Sequence, residues 1–303
     1  MLRKEWPLIT NTILAQLAAG LFIFLAWDRI VLSRESLQLA LTSTAQGLAW
    51  TGPVIVLAML LSLFHLGKPF RAYRAMANLP VSWLSWEIFF SGAFLLLWII
   101  FMVFESSDSI ALPLMVAAGL VGLLNVISMS NIYSSTGRPG WKGTGTYLDF
   151  LGSTLVFGSV GAAFFLSAAG LDAAMVKVLT YFPLLASVLI LVIELIVILH
   201  FVSTQMALTD DFSLDQLASS SDLNEALLKK YQNIAVAGWL LSVLGVLMVM
   251  LYLSGLLQFS LLLSFLLVLI GELLGRYGFF MLVGESEEAS QYITAVSHAR
   301  HGN

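Results

Sequence analysis

The 303-residue sequence contains no cysteine and only four histidines, at positions 65, 200, 298 and 301. Without cysteine the chain forms no disulfide, holds no zinc through thiolates and ligates no iron–sulfur cluster of its own. The small number of histidines also disfavours a histidine-rich metal site. We therefore expect no metal centre within this polypeptide.

Charged residues are scarce as well, at 11% of the chain, against about 25% in soluble globular domains. Hydrophobic residues make up 59% of the sequence, and the mean hydropathy is +0.93. The net charge of −4 is close to neutral for this length and gives no indication of nucleic-acid binding. The composition predicts a membrane protein with several spans, folded as a single domain over residues 1–303.

Several apolar runs are long enough to cross a hydrocarbon core of about 30 Å. They lie roughly at 8–27, 46–66, 87–105, 111–132, 149–169, 179–203, 234–254 and 258–282. None shows the alternation of a barrel strand, and helices satisfy their own backbone groups in lipid. The sequence therefore predicts an all-α integral membrane fold, a bundle of about eight transmembrane helices. The first run has no evident cleavage site, so we interpret it as a retained helix.

The lysines and arginines are distributed unequally between the two ends of the predicted bundle. An even number of spans places both termini on one face, which we call the N-terminal face. That face collects Arg3, Lys4, Lys68, Arg71, Arg74, Arg138, Lys142, Lys229, Lys230 and Arg300, whereas the opposite face collects Arg29, Arg34 and Lys177. The positive-inside rule then favours cytoplasmic termini.

The N-terminal face also carries the three long predicted connections, 67–86, 133–148 and 204–233. In the last of these, Asp222 is expected to cap a short amphipathic helix that runs to Tyr231. Two of the four opposite loops are very short. The asymmetry suggests a docking surface for another subunit, although ordinary loop variation is an equally good explanation.

The stretch 58–87 contains the most suggestive polar residues, because His65 ends one predicted span and Glu87 begins the next. A histidine exchanges a proton near neutral pH, so the two side chains are candidates for a proton-accepting site. The structural alternative is equally simple. His65 would then stabilise a helix C-terminus that stops at Gly67, and Glu87 would lie in a first turn capped by Ser85.

Ionisable residues also occur within the sixth and eighth predicted spans. Glu272 and Arg276 are four residues apart, which predicts an ion pair on one helix face that points into the bundle. Gly271 and Gly275 form a small surface for close helix packing. Glu194 and His200 have no evident partner. Two further alternatives follow: a b-type haem held by His65 and His200, or a secondary transporter that binds solute at Glu194 or Glu272.

The motifs together resemble the membrane anchor subunit of bacterial dimethyl sulfoxide reductase and its relatives. The resemblance spans nearly the whole chain and is most specific between His65 and Glu87. It is carried by Glu5-Trp6-Pro7-Leu8, His65-Leu66-Gly67-x-Pro69-x-Arg71-Ala72, Asn78, Ser82-x-Leu84-Ser85-x-Glu87, Tyr133, Pro139-x-Trp141 and Gly271-Glu272-Leu273-x-Gly275-Arg276-x-x-Phe279.

This resemblance implies a quinol-oxidising anchor without haem, in a complex with a molybdopterin catalytic subunit and a four-cluster iron–sulfur subunit. It implies a bacterial cytoplasmic membrane location and menaquinol as the bound substrate. His65 and Glu87 match family positions associated with menaquinol binding and are the expected catalytic pair. The wider predicted quinol site comprises His65, Gly67, Arg71, Ser85, Glu87 and Tyr133.

Overall fold

A computed structural model of the chain is entirely helical over the residues that it describes. The backbone is described for 2–65, 74, 78–79, 81–136, 141, 143–210, 218–256 and 261–301. Side chains are described for 6–64, 74, 78–79, 81–107, 109–136, 141, 143–199, 232–256 and 261–281. The prediction of an all-α membrane bundle is confirmed within these ranges.

Eight long helices make up the described backbone, and each contains a stretch long and apolar enough to cross a membrane. They are α1 (Leu2–Ser33), α2 (Leu37–Ser62), α3 (Trp83–Phe104), α4 (Asp108–Ser134), α5 (Thr144–Ala168), α6 (Ala173–Asp210), α7 (Ala218–Leu253) and α8 (Leu261–His301). A 3₁₀ turn, Leu63–His65, follows α2. The chain is thus a multi-pass membrane protein.

Polar helical turns extend several helices beyond the predicted apolar runs, so the connections between helices are shorter than the sequence indicated. The connection predicted at 204–233 is much shorter, since α6 continues to Asp210 and α7 begins at Ala218. The short helix expected from Asp222 is therefore part of α7. Helix propensity is substantial in its Leu-, Ala-, Glu- and Lys-containing sequence, and hydropathy alone does not detect it.

Helices α1 and α5 are the most deeply buried spans and pack against each other at the centre of the bundle. Their backbones meet at two glycines. A Cβ atom at Gly20 would lie 2.1 Å from the carbonyl oxygen of Thr154, and one at Gly158 would lie 2.6 Å from that of Gly20. Only glycine permits this approach, which brings polar side chains of α1 within reach of α5 and α8.

Helices α7 and α8 form a second close pair, also through glycine. A Cβ at Gly271 would lie 2.6 Å from the carbonyl oxygen of Gly238, and one at Gly238 would lie 2.8 Å from the backbone nitrogen of Gly275. The predicted close-packing surface is confirmed. Gly271 contributes through the absence of a side chain, whereas a Cβ at Gly275 would meet nothing within 4 Å.

A buried arginine ties three helices together near the opposite face. Arg29 Nε donates a hydrogen bond of 2.8 Å to Thr44 Oγ1, and its guanidinium lies 3.4 Å from the carboxylate of Glu105. The same guanidinium lies 5.4 Å from the ring centre of Phe101. Arg29 was counted as a loop charge from sequence, but it lies inside α1 and is 3% exposed.

Substituting Gly20 by Ala should destabilise the bundle, because the new methyl group would meet the backbone of α5. Overpacking of this kind costs about 1–3 kcal/mol, and we expect a lower melting temperature of the purified protein. Gly92→Ala is the matched control, since a Cβ there meets nothing within 4 Å and alanine favours a helix. Equal melting temperatures for the two variants would contradict the close α1–α5 contact.

Candidate functional site

The carboxylate of Glu87 is held at the N-terminal rim of the bundle by α1. Asn11 Nδ2 donates a hydrogen bond of 3.0 Å to Glu87 Oε1, and Asn11 is buried. Glu87 itself is half-buried. Among the described residues, no group bonds its second oxygen, Oε2. Within the described part of the chain, Asn11 thus holds this carboxylate through one of its two oxygens.

The start of α3 differs from the structural alternative in which Ser85 caps the helix and Glu87 lies in its first turn. Ser82, not Ser85, caps α3, and its side chain accepts a hydrogen bond from the backbone N–H of Ser85. Because α3 begins at Trp83, Glu87 lies in the second turn rather than the first. Stabilisation by the helix dipole falls off beyond the first turn, so Asn11 supplies the contact that orients this carboxylate.

His65 lies at the end of the 3₁₀ turn that follows α2, and this turn packs against the start of α1. The rings of Trp6 and Phe64 have their centres 5.9 Å apart. The backbone of His65 is therefore at the same rim as Asn11. Its side chain is not among those described.

The remaining predicted quinol-site residues have different surroundings. Ser85 is buried, at 1% exposure. Gly67 and Arg71 lie outside the described residues. Residue His200, the proposed second haem ligand, is described only as part of the α6 backbone. The site assignments, and the haem alternative with them, stay predictions.

Tyr133, the last predicted site residue, is part of an aromatic cluster. Its ring packs against Trp141, Phe150, Phe279 and Phe280, with centres 5.1 to 5.5 Å away for all but Phe279, at 5.9 Å. Trp141 also donates a hydrogen bond of 2.9 Å to the carbonyl oxygen of Phe279. The cluster joins the end of α4 and the middle of α8 to the start of α5.

The asparagines of α4 form hydrogen bonds to neighbouring helices. Ser91 Oγ of α3 donates a hydrogen bond of 3.0 Å to Asn125 Oδ1. Tyr147 of α5 donates one of 2.6 Å to Asn131 Oδ1. These bonds connect α4 to α3 and to α5 in the half of the bundle that contains Glu87.

A second polar group lies deeper, around the fully buried Arg276 of α8. Its guanidinium forms an ion pair with Asp149 of α5 and donates a hydrogen bond of 3.1 Å to Gln16 Oε1 of α1. Its Cζ atom lies 3.8 Å from the ring centre of Phe150. We call Gln16, Asp149, Ser153, Glu194, Ser242, Glu272 and Arg276 the buried polar cluster.

Glu272 belongs to this cluster but does not form the predicted pair with Arg276. It accepts hydrogen bonds from Ser153 Oγ, at 2.6 Å, and from Ser242 Oγ, at 2.8 Å. The predicted partner was wrong because the carboxylate of Asp149, on α5, forms the ion pair with the guanidinium instead. The expectation that these charges point into the bundle is confirmed.

Sequence reasoning missed three of the residues that organise these two sites: Asn11, Gln16 and Asp149. Each is a polar residue within a span, and such residues face the bundle interior or a functional site. That signal was present in the sequence. Their partners are 76, 260 and 127 positions away, so spacing along the chain gave no indication of the pairing.

The fold and the charged interior define a class of protein, a multi-pass helical membrane protein. Residues 2–282 match the family model of the DMSO reductase anchor subunit (DmsC). The chain belongs to this family. It is thus a membrane anchor of a DMSO reductase complex, which implies catalytic and electron-transfer partner subunits.

Individual relatives agree with the family. The protein is 27% identical over 294 residues to the C subunit of anaerobic dimethyl sulfoxide reductase from Escherichia coli (strain K12), with 92% of this sequence and 96% of the relative covered. It is 26% identical to the anaerobic dimethyl sulfoxide reductase subunit YnfH of the same strain, with 54% and 58% covered. No solved structure matches the protein. The names of these relatives fit anaerobic respiration.

Replacing Arg276 by Met should strongly destabilise the protein. The substitution leaves the half-buried Asp149 carboxylate without its cation. Removing one partner of a fully buried pair costs about 3–5 kcal/mol, and the partial exposure of Asp149 should place the loss toward the lower end of that range. The melting temperature of the purified protein measures the loss. The double variant Arg276→Met with Asp149→Leu should recover much of it, and a double variant no more stable than Arg276→Met would contradict the pair.

Proposed function

We propose that this protein oxidises menaquinol at the N-terminal rim, between the 3₁₀ turn after α2 and the start of α3. The observation that carries the proposal is the half-buried Glu87 carboxylate, fixed through one oxygen by Asn11 at the rim where the His65 turn packs on α1. A quinol headgroup needs hydrogen-bond acceptors at such an apolar edge. Membership of the anchor family supports the assignment.

The surroundings of Glu87 suit a lipid-soluble aromatic ligand. Trp86 stacks on Phe90 with ring centres 5.3 Å apart, and Phe89 packs edge-on against Trp86. Phe89 is 39% exposed, so part of this aromatic surface faces the lipid. Binding pockets commonly combine apolar walls with a few placed polar groups. Menaquinol would enter from the bilayer and place one hydroxyl at Glu87 Oε2.

Menaquinol becomes menaquinone by losing two electrons and two protons. In the proposed reaction, the His65 imidazole accepts one proton as a general base. Glu87 accepts the other, and Asn11 keeps its carboxylate in position. Arg71 would stabilise negative charge that develops on the quinol oxygen. Gly67 is close to Arg71 in the sequence, and Ser85 and Tyr133 would support the rim.

The electrons would pass to a four-cluster iron–sulfur subunit docked on the N-terminal face, and from there to a molybdopterin catalytic subunit. The absence of cysteine means that this polypeptide ligates no iron–sulfur cluster, so the acceptor lies in a partner. Helices α6, α7 and α8 all extend past their apolar spans on this face. Such extensions provide a surface for the docked subunit.

Family membership favours this anchor function over a secondary transporter. The carboxylates that suggested a transporter also have other partners, since Glu272 accepts hydrogen bonds from two serines. We propose the bacterial cytoplasmic membrane as the location and cytoplasmic termini, as the excess of lysine and arginine on the N-terminal face favours.

The substitutions His65→Ala and Asn11→Leu should each lower quinol-dependent turnover of the complex. Loss of a hydrogen bond to a charged group costs about 1.5–3 kcal/mol, so Asn11→Leu should slow turnover roughly tenfold to a hundredfold. The His65→Ala variant, which loses the base, should slow it at least as much. Initial rates with a soluble menaquinol analogue measure both effects.

Two controls separate the quinol site from assembly. A water-soluble reductant that feeds the catalytic subunit directly should give wild-type rates in both variants. Glu35→Gln, in the exposed loop on the opposite face, should leave quinol-dependent turnover unchanged. Wild-type quinol turnover in an assembled His65→Ala complex would refute the site.

The proposed orientation can be tested because the protein has no cysteine of its own. A Glu35→Cys variant should react with a membrane-impermeant thiol reagent in intact cells, since Glu35 is exposed on the face proposed to lie outside. A Ser135→Cys variant, exposed on the N-terminal face, should react only after the cells are opened. The reverse pattern of labelling would invert the topology.

A further inference from the structure

The buried polar cluster contains more acidic groups than basic ones. Asp149 of α5, Glu194 of α6 and Glu272 of α8 lie within electrostatic range of one another and of a single guanidinium, Arg276. Among the described side chains of α1 and α7 that face the cluster, Gln16 and Ser242 carry no charge. Three ionised carboxylates beside one cation would leave two negative charges uncompensated inside the membrane.

The hydrogen bonds distinguish the three carboxylates. Asp149 forms the ion pair with Arg276. Glu272 has a serine hydroxyl within hydrogen-bond distance of each of its two oxygens, and hydroxyls can donate hydrogen bonds to a carboxylate there. The carboxylate of Glu194 has neither an ion pair nor a hydrogen bond with the described residues. Glu194 is half-buried, on a helix whose surface mostly faces lipid.

The position of Glu194 depends on a glycine of the neighbouring helix. A Cβ atom at Gly152 of α5 would lie 2.2 Å from Glu194 Oε1 and 3.0 Å from Ile190 Cγ1. Glu194 therefore lies directly against the α5 backbone at Gly152, the residue that precedes Ser153. The contact brings the acid into the cluster rather than leaving it in the lipid.

Two buried donors in the cluster also lack an acceptor within the part of the chain that the structure describes. Gln16 Nε2 and Arg276 Nε have no hydrogen-bond partner there, although Gln16 is 0% and Arg276 1% exposed. Buried polar groups without a protein partner are commonly met by ordered water. The smallest acceptor that satisfies them is water, which also carries protons between acids.

We propose that the buried polar cluster is a proton-binding site, in which Glu194 holds one exchangeable proton as a neutral acid against Gly152 and bound water meets the unpartnered donors of Gln16 and Arg276. Neighbouring carboxylates in a medium of low dielectric do not all ionise, and an unpaired charge within a bilayer is costly. A neutral Glu194 leaves Asp149 paired with Arg276, and Glu272 held by two hydroxyls. This inference does not depend on the quinol site.

Infrared difference spectroscopy of the intact purified complex tests the proposal. A protonated carboxyl group has a C=O stretching band that ionised carboxylates lack, and the band shifts in D₂O if the proton exchanges. The wild-type minus Glu194→Gln spectrum should contain one such band. Partner subunits are common to both samples, so their bands cancel.

Matched variants identify the group that holds the proton. Asp28→Asn is the control, because Asp28 is also buried, with an unpartnered Oδ2 among the described residues, but lies near the opposite face; it should leave the Glu194 band in place. Gly152→Ala should shift the band without removing it, since the added methyl displaces the flexible carboxyl end. That variant also keeps the proposal testable if Glu194→Gln fails to assemble.

The outcomes are distinct. Absence of the band from the wild-type minus Glu194→Gln spectrum overturns the proposal, as does an unshifted carboxyl spectrum in Gly152→Ala. A band lost in Glu272→Gln but retained in Glu194→Gln places the proton on the other acid and overturns the assignment. A band that does not shift in D₂O overturns the exchangeable site, because the proton is then not in contact with water.

Discussion

The arrangement of α1, α5 and α8 depends on the free-energy cost of placing a guanidinium within a membrane. Arg276 is fully buried, and its charge is met by a carboxylate of α5, an amide of α1 and the ring of Phe150. A charge at the membrane centre costs several kcal/mol unless it is paired. Helices α1, α5 and α8 must therefore assemble in one register to keep this group satisfied, and the glycine contact at Gly20 allows them to approach closely enough.

Helix α1 serves two polar sites from two sides. Asn11 reaches α3 at the rim, and Gln16, five residues further along, reaches α8 in the interior. Five residues of an α-helix rotate the side chain by roughly 140°, which explains how one helix contacts both partners. The same helix contributes Trp6 to the turn that ends at His65. The rim and the buried polar cluster are thus positioned by a common element, although their chemistry differs.

Hydropathy and charge were sufficient to predict the membrane class and the number of spans, because the bilayer imposes these features on any sequence that crosses it. The four-residue spacing of Gly271 and Gly275 indicated the packing surface of α8. The motifs from His65 to Glu87 were sufficient to indicate the family. The pairing of Arg276 with Asp149, rather than with Glu272, was not predictable, because spacing along one helix says nothing about a competing carboxylate on another. Ser85 was the expected cap of α3 because it stands just before the apolar run. The helix itself begins earlier, at Trp83, so Ser82 is the cap.

The aromatic cluster around Tyr133 has an electrical consequence. Phe150 and Phe279 each contact the guanidinium of Arg276 and the ring of Tyr133, and Phe279 also stacks on Trp141. A layer of aromatic rings therefore lies against the cation on the side of the N-terminal surface. Attraction between charges grows as the local dielectric constant falls. Trp141, which lies between α4 and α5 in the sequence, therefore helps to keep the dielectric constant low on the Arg276 side of the ion pair.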